Sequence, residues 1–129
     1  MRSELWPGSD ADHRAEVATY FSARTPQTVT LVAVLDQRLI GFLELSSRDY
    51  AQGCETSPVA YIEGWYVDAT FRRAGVGRRL VLAAEAWARN AGYRELGSDA
   101  EASNDGSIRA HTALGYERAP DIVCFRKAL

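Results

Sequence analysis

Between Thr28 and Leu45 the apolar residues fall into two runs, Thr28-Val-Thr-Leu-Val-Ala-Val-Leu35 and Leu39-Ile-Gly-Phe-Leu-Glu-Leu45, with Asp36-Gln-Arg38 between them. Short β-branched runs broken by a tight polar turn predict a hairpin of two strands. Ahead of it, Trp6-Pro7-Gly8 forms a turn and Ser9-Asp10 has the residues of a helix cap. From Ala15 to Phe21 a short helix is expected, with Val17, Tyr20 and Phe21 on or near one face, closed by Pro26. Arg48 to Pro58 holds Asp49, Gln52, Gly53, Ser57 and Pro58, the composition of a loop. Ala60-Tyr-Ile-Glu-Gly-Trp-Tyr-Val67 is a third strand, and Gly64 inside it predicts a bulge.

The period then becomes helical. Val76, Leu80, Ala83, Ala84, Trp87 and Ala91 recur on one face, and Asn90-Ala91-Gly92 supplies the stop. Tyr93 to Ser98 is a short strand, Asn104 to Leu114 a second helix stopped at Gly115, and Asp121 to Lys127 a closing strand. Antiparallel strands followed by strand–helix–strand–helix–strand predict an α/β (α+β) fold, a mixed central sheet with helices packed on it. No repeat or linker divides the chain, so residues 1–129 are expected to form one domain.

Composition narrows the function classes. Hydrophobic residues make up 47% and charged residues 25%, an ordinary globular balance. A formal net charge of −2 argues against nonspecific nucleic-acid binding, which needs a basic surface. No run is long enough to span a membrane and no leader precedes the first helix, so a cytoplasmic protein is expected. Cys54 and Cys124 offer no disulfide framework, and with His13 and His111 they make no metal-binding pattern, so no metal is expected.

The chemistry concentrates where the third strand meets the long helix, at Val67-Asp-Ala-Thr-Phe-Arg-Arg-Ala-Gly-Val-Gly-Arg-Arg-Leu80. A first helical turn leaves backbone N–H groups without acceptors, and the helix dipole is positive there. Gly75 and Gly77 let such a backbone approach a bulky anion, while Arg72, Arg73, Arg78 and Arg79 can add charged donors from the rim. A glycine that eases a turn beside a solvated arginine face is the plainer reading; the order strand, Arg-Arg-x-Gly-x-Gly, helix favours a phosphate or pyrophosphate site. A P-loop is excluded because Gly77 is followed by Arg78-Arg79. A dinucleotide fingerprint is excluded because Leu80 stands where the third glycine belongs.

The strand–Arg72-x-x-Gly75-x-Gly77–helix unit, followed by Asn104 and by Leu114-Gly115-Tyr116, resembles the GCN5-related N-acetyltransferase (GNAT) superfamily over nearly the whole chain. A closer resemblance rests on Leu5-Trp6, Tyr50 with Gly53, Thr56-Ser57-Pro58-Val59, Glu63-Gly64, Ser98-Asp99-Ala100, Asn104 and His111 with Leu114-Gly115-Tyr116. Together these are similar to the aminoglycoside 6'-N-acetyltransferases, bacterial resistance enzymes. Members carry a first strand before the helix holding Leu5-Trp6, and this sequence starts at that helix, so a GNAT sheet with its first strand missing is expected.

The resemblance implies acetyl-CoA as cosubstrate and direct attack by an amine in a ternary complex. Its pyrophosphate would sit on Arg72, Arg73, Ala74, Gly75, Val76, Gly77 and Arg78. Backbone N–H groups of Trp65 and Val67, with Tyr66 between them, would face the thioester and pantetheine arm, and Asn104 would hold the pantetheine side. Glu63 and Asp99 are the candidate bases and amine contacts; as plain strand and turn carboxylates they would do neither. Asp49, Glu55, Glu101 and Asp105 would add negative potential that steers a polycation inward, although each one alone reads as a solvated loop charge. His111 stands where many superfamily members have tyrosine and is the candidate general acid, with a satisfied helix-face histidine as the blander reading. Trp6 and Tyr50 would offer flat faces to the sugar, and Asp121 an acidic contact near the C-terminus. A homodimer is expected, since relatives are often dimers and an exposed edge strand invites pairing. Two other functions stay open: acetylation of a different amine, such as a polyamine or peptide N-terminus, and a non-catalytic acyl-CoA-binding domain.

Overall fold

The computed structural model describes residues 28–128 together with Leu5, Ser9, Ala11, Asp12, Arg14, Ala15 and Ala18. Trp6, His13, Val17, Tyr20 and Phe21 lie outside the described residues. Among those described near the start, Leu5, Ala11, Asp12, Arg14, Ala15 and Ala18 are helical, and Ser9 makes the cap, its Oγ accepting from the Asp12 N–H at 3.1 Å. The chain divides into two units, Met1–Asp99 and Ala100–Leu129.

The first unit carries the sheet, in the order β1 (Val29–Leu35), β2 (Arg38–Arg48), β3 (Val59–Val67), β4 (Leu96–Ser98). The expected hairpin is there, with Leu35 opposite Arg38 and positive φ at both Asp36 and Gln37. Such a two-residue turn matches the natural twist of paired strands, and short polar side chains tolerate it best. β2 pairs antiparallel with β3, whereas β4 runs parallel to β3 and meets only Ala60, Tyr61 and Ile62. Beyond Ile62 the two strands therefore part, and β3 continues to Val67 with β2 on one side.

Helix α1 (Val76–Asn90) packs Leu80, Val81, Ala84 and Ala88 onto β1, β2 and β3. Gly41 of β2 faces this helix, a Cβ there lying 3.4 Å from Leu80. The buried residues of the sheet are Ile40, Phe42, Leu43, Leu45, Val59, Ala60, Tyr61 and Ile62, and Val59 and Tyr61 form a further cluster with Ala51; Leu43, Val59 and Val81 are fully excluded from water. Burial of each large apolar side chain of this kind contributes about 1.5–3 kcal/mol. Leu80, which excluded a dinucleotide fingerprint, is a core residue. The helix ends on Gly92, whose φ of 89° is natural for glycine; its N–H donates to Arg89 O and that of Tyr93 to Ala88 O. Tyr93 then packs on Trp87, ring centroids 5.6 Å apart.

In the second unit, α2 (Asp105–Ala113) begins at Asn104 and ends at Leu114 and Gly115. The expected closing strand, Asp121 to Lys127, is not formed: residues 117–128 have no regular structure and Val123 and Phe125 are 78% and 93% exposed. β-propensity describes how a residue fits a paired, half-buried surface, and no described residue is laddered to this segment.

Candidate active site

Glu63 sits at the defect in the sheet. The register passes from Glu44 opposite Gly64 to Leu45 opposite Ile62, so Glu63 is the extra residue of a bulge in β3. A bulge re-aims its side chain, and here it turns Glu63 toward the polar end of β2. Arg48 Nε donates to Glu63 Oε1 at 2.8 Å and Arg48 Nη2 to Oε2 at 2.5 Å, a two-pronged pair, while Ser46 Oγ also donates to Oε1. The central carbon of the guanidinium lies over the Tyr61 ring, 3.5 Å from its centroid. Asp99, which follows the end of β4, bears on Tyr61 through its charge. The Tyr61 ring covers Gly97, where a Cβ would come within 2.8 Å of it.

Ser46, Glu63, Arg48 and Tyr61 are thus in contact, and the charge of Asp99, the other carboxylate singled out from the sequence, acts on both Arg48 and Tyr61. Burial pushes the Glu63 carboxyl up, but hydrogen bonds from Arg48 and Ser46 and the Arg48 charge outweigh it and hold the group below its ordinary value. The hydrogen bond to Glu63 raises Arg48 further despite partial burial. Burial first, then the Asp99 charge, raises the Tyr61 phenol. Glu63 is therefore held in its carboxylate form.

Sequence reasoning missed Ser46, Arg48 and Tyr61 in this group. It ended β2 at Leu45, because serine and arginine are weak strand formers. The ladder nevertheless continues through Ser46 opposite Tyr61, Ser47 opposite Ala60 and Arg48 opposite Val59. Ser46 and Arg48 are two apart and so share a face; that alternation was the available signal. Tyr50 is 69% exposed in the following loop, its hydroxyl on Gln52. The loop itself is tied down by Glu95, which accepts from the N–H groups of Glu55 and Thr56, the latter at 2.6 Å.

At the other end of β3, Asp68 turns the chain. Its N–H donates to Ile40 O, its Oδ1 accepts from Thr70 N–H at 2.9 Å, and its Oδ2 pairs with Arg38, also at 2.9 Å. A single 3₁₀ turn, Ala69–Phe71, follows and delivers Arg72 and Arg73. Arg72 Nε donates to Val67 O at 2.9 Å, and Arg73 adopts a left-handed backbone with φ of 65°. Ala74 then leads into Gly75, the residue before α1, at φ 80° with no side-chain cap on the helix. The first intrahelical bond is Arg79 N–H to Gly75 O, so the N–H groups of Val76, Gly77 and Arg78 precede the ladder.

The two glycines do different work. A Cβ on Gly75 would meet nothing within 4 Å, so the space above the helix start is open, as a diphosphate requires. A Cβ on Gly77 would lie 2.8 Å from the Trp65 ring, so Gly77 is small in order to seat that indole. Tyr66 stacks on Phe42, with centroids 5.9 Å apart. Arg78 and Arg79 are exposed beside the open helix start. These features fit the pyrophosphate of a coenzyme: open donors, a dipole, and cations at the rim.

In the second unit Asn104 is the cap of α2, its Oδ1 accepting from Ser107 N–H at 3.0 Å. His111 Nδ1 lies 2.8 Å from Ser107 O, and its ring meets Tyr116 edge-on at 5.4 Å. A carbonyl only accepts, so Nδ1 carries the proton. Asp121 pairs with Arg118 at 2.9 Å on the surface.

The profile of the Acetyltransferase (GNAT) family matches residues 1–116. The aminoglycoside N(6')-acetyltransferase type 1 of Klebsiella aerogenes is 44% identical over 132 residues, covering 100% of this chain and 87% of its own length. That of Stenotrophomonas maltophilia is 42% identical over 130 residues, covering 100% of this chain and 84% of its own. Among solved structures, the apo aminoglycoside 6'-N-acetyltransferase of Acinetobacter haemolyticus superposes with a TM-score of 0.90 at 36% identity, over 99% of this chain and 88% of that one. AAC(6')-Iy in complex with the bisubstrate analog CoA-S-monomethyl-acetylneamine gives a TM-score of 0.90 at 35% identity, over 100% and 88%. This chain therefore belongs to the GNAT acetyltransferases and, within them, to the family of the aminoglycoside N(6')-acetyltransferases.

Proposed function

We propose that the chain transfers the acetyl group of acetyl-CoA to the 6'-amino group of an aminoglycoside, inactivating the antibiotic, with Glu63 and Asp99 holding the acceptor amine. The observation that carries this reading is a pair of carboxylates that both act on Arg48 and Tyr61 at the point where β3 parts from β4, with Glu63 on the strand that leads to the open start of α1. When bound, acetyl-CoA supplies an acetyl thioester. The residues from Arg72 to Arg78 hold its pyrophosphate, Trp65, Tyr66 and Val67 line its arm, and Asn104 flanks the pantetheine.

An aminoglycoside amine arrives as an ammonium, which the carboxylates bind. One proton must leave before the nitrogen can attack the acetyl carbon; Glu63 or Asp99 relays it to solvent. As the N–C bond forms the C–S bond breaks, the nitrogen loses a second proton, and the departing thiolate takes up one. With Nδ1–H committed to Ser107 O, neutral His111 presents an acceptor at Nε2, so it donates to the thiolate only as an imidazolium. Tyr50 and Trp6 contact the sugar, and Asp121, released from Arg118, adds an outer acidic contact.

Residues 1–129 act as one acetyltransferase domain, a reading supported by a family match that covers the first unit and runs into the second as far as residue 116. The protein works in the cytoplasm, where acetyl-CoA is found, with no metal, and as a homodimer, which the exposed Ile122, Val123 and Phe125 would help to form. Coupled CoA-release assays with kanamycin, spermidine and a peptide panel test the acceptor. Release with kanamycin is expected, and Glu63→Gln and Asp99→Asn should each lower kcat/KM by about 100-fold, the scale of general acid–base catalysis. Full activity in both variants would overturn the assignment of the bases, and release with spermidine or peptides alone would overturn that of the substrate.

A further inference from the structure

Arg48 is a cation inside a site whose substrate is itself a cation, and nothing in the reaction asks for it. Its geometry is not that of a loosely paired surface arginine. Both prongs of the guanidinium are on Glu63, and its central carbon lies over the ring of Tyr61, which the Asp99 charge also reaches. The group is held by the fork to Glu63 and by the ring of Tyr61. We infer that Arg48 sets the net charge of the acceptor site, cancelling one of the two carboxylates so that a bound ammonium can give up its proton.

This inference rests on the reading of Glu63 and Asp99 as the amine-binding pair. Two carboxylates alone would present two negative charges to the ammonium. Such a site binds a cation tightly and, by the same electrostatics, keeps it protonated. A protonated amine has no lone pair with which to attack. One guanidinium leaves a single net negative charge: enough to attract the amine, and less of an obstacle to deprotonation. The fork geometry matters as well, because it leaves Glu63 oriented by two donors and Ser46. The charged and titratable groups that bear on the pair are Glu63, Tyr61 and Asp99, drawn from β3 and from the residue after β4.

Arg48→Gln separates this from a merely structural role by the sign of one constant. The expected result is a lower KM for the aminoglycoside, by about 3- to 10-fold, together with a kcat reduced about 10-fold near neutral pH. The acidic limb of the kcat–pH profile should move up by about one pH unit, because both the bound amine and Glu63 hold their protons longer. A structural arginine would raise KM when removed and leave the limb in place; that result overturns the inference. Arg48→Lys keeps the charge and loses the fork: it should lower kcat while leaving the limb where it is, and a limb displaced upward would count against the idea even if Arg48→Gln does not fold. Glu63→Gln is the mirror image, with KM expected to rise. If Glu63→Gln moves neither KM nor kcat, the underlying reading of Glu63 fails. If it does, and Arg48→Gln shows no drop in KM, only the role given to Arg48 fails.

Discussion

Helix α1 stops at Gly92 and helix α2 at Gly115, and each end is closed by the same two backbone bonds, from Gly92 and Tyr93 in one case and from Gly115 and Tyr116 in the other. Their first turns are built in opposite ways. α2 starts with a side chain that fills its own need, Asn104 Oδ1 on the Ser107 N–H, and has Asp105 in its first turn to face the dipole. α1 starts with Gly75, which has no side chain, and its first turn carries no acidic residue. A helix start that the chain caps by itself has its first donors occupied; one without a side-chain cap leaves them open to a ligand. The pyrophosphate proposed for the start of α1 would complete it, and the contrast between the two helices shows why the local sequence permits that.

The strongest way to break this contrast is to give α1 the cap that α2 has. Gly75→Asp puts an acceptor and a negative charge where the pyrophosphate belongs, at a position whose left-handed backbone aspartate tolerates better than most residues. Two unit charges 4 Å apart at an effective dielectric of 20 repel by about 4 kcal/mol, so the KM for acetyl-CoA should rise by at least about 100-fold. Thermal stability should change little, since the cap offsets the strain. Steady-state kinetics with acetyl-CoA varied would settle it, and an unchanged KM would mean that the start of α1 is not the anion site.

A second substitution asks whether the two glycines of this corner are interchangeable. Gly77→Ala gains about 1 kcal/mol of helix propensity, but its methyl group arrives 2.8 Å from the Trp65 ring. Overpacking of this kind costs about 1–3 kcal/mol, so the expected balance is a lower Tm and a shifted Trp65 indole resonance. Gly75→Ala should lower Tm through backbone strain alone and leave that resonance where it is. Identical spectra for the two variants would show that Trp65 does not rest on Gly77.

Much of this was legible beforehand. The hairpin, the bulge beside Gly64, the limits of α1 and both glycine stops follow from local chemistry: turn residues, periodicity and the conformational freedom of glycine at Gly92 and Gly115. The group of Ser46, Glu63, Arg48, Tyr61 and Asp99 was not legible as a unit, because it depends on register across three strands, and Arg48 carries no local mark of a strand residue. Asp121 to Lys127 failed for the converse reason. Its residues favour a strand, but a strand exists only against a partner. The glycine corner was half read: Gly75 has the open space expected of it, and Gly77 is occupied by a ring that lies twelve positions earlier in the chain.

Asn104 sharpens the comparison from the side of α2. Asn104→Ala removes the cap and should lower stability by about 1 kcal/mol. Asn104→Asp keeps an acceptor for the Ser107 N–H and loses only the amide donor. If Asn104 serves the coenzyme as well as the helix, Asn104→Asp should raise the KM for acetyl-CoA severalfold with an unchanged Tm. A KM that moves only together with Tm would leave Asn104 as a cap and nothing more.

The smallest effect concerns carboxylates rather than helices, and applies the same distinction between groups completed within the chain and groups that await a ligand. Glu95 is completed by Thr56 and by the Glu55 N–H, which hold its carboxyl below the ordinary range; Glu63 is completed by Arg48 and Ser46 against the opposing effect of burial. A carboxyl whose folded value is depressed contributes stability that is fully present above its unfolded value, about 4.3, and is lost as pH falls through the lower folded value. Wild-type protein should therefore exceed Glu95→Gln in Tm at pH 6–7, with the gap closing below about pH 4. Glu63→Gln should show the same closing gap, made smaller because Glu63 is partly exposed to solvent and its burial works against the pairing. Melting curves recorded every half unit between about pH 3 and 7 would show it. A gap that stays constant across that range would mean that neither carboxylate is held in its charged form by the neighbours named here.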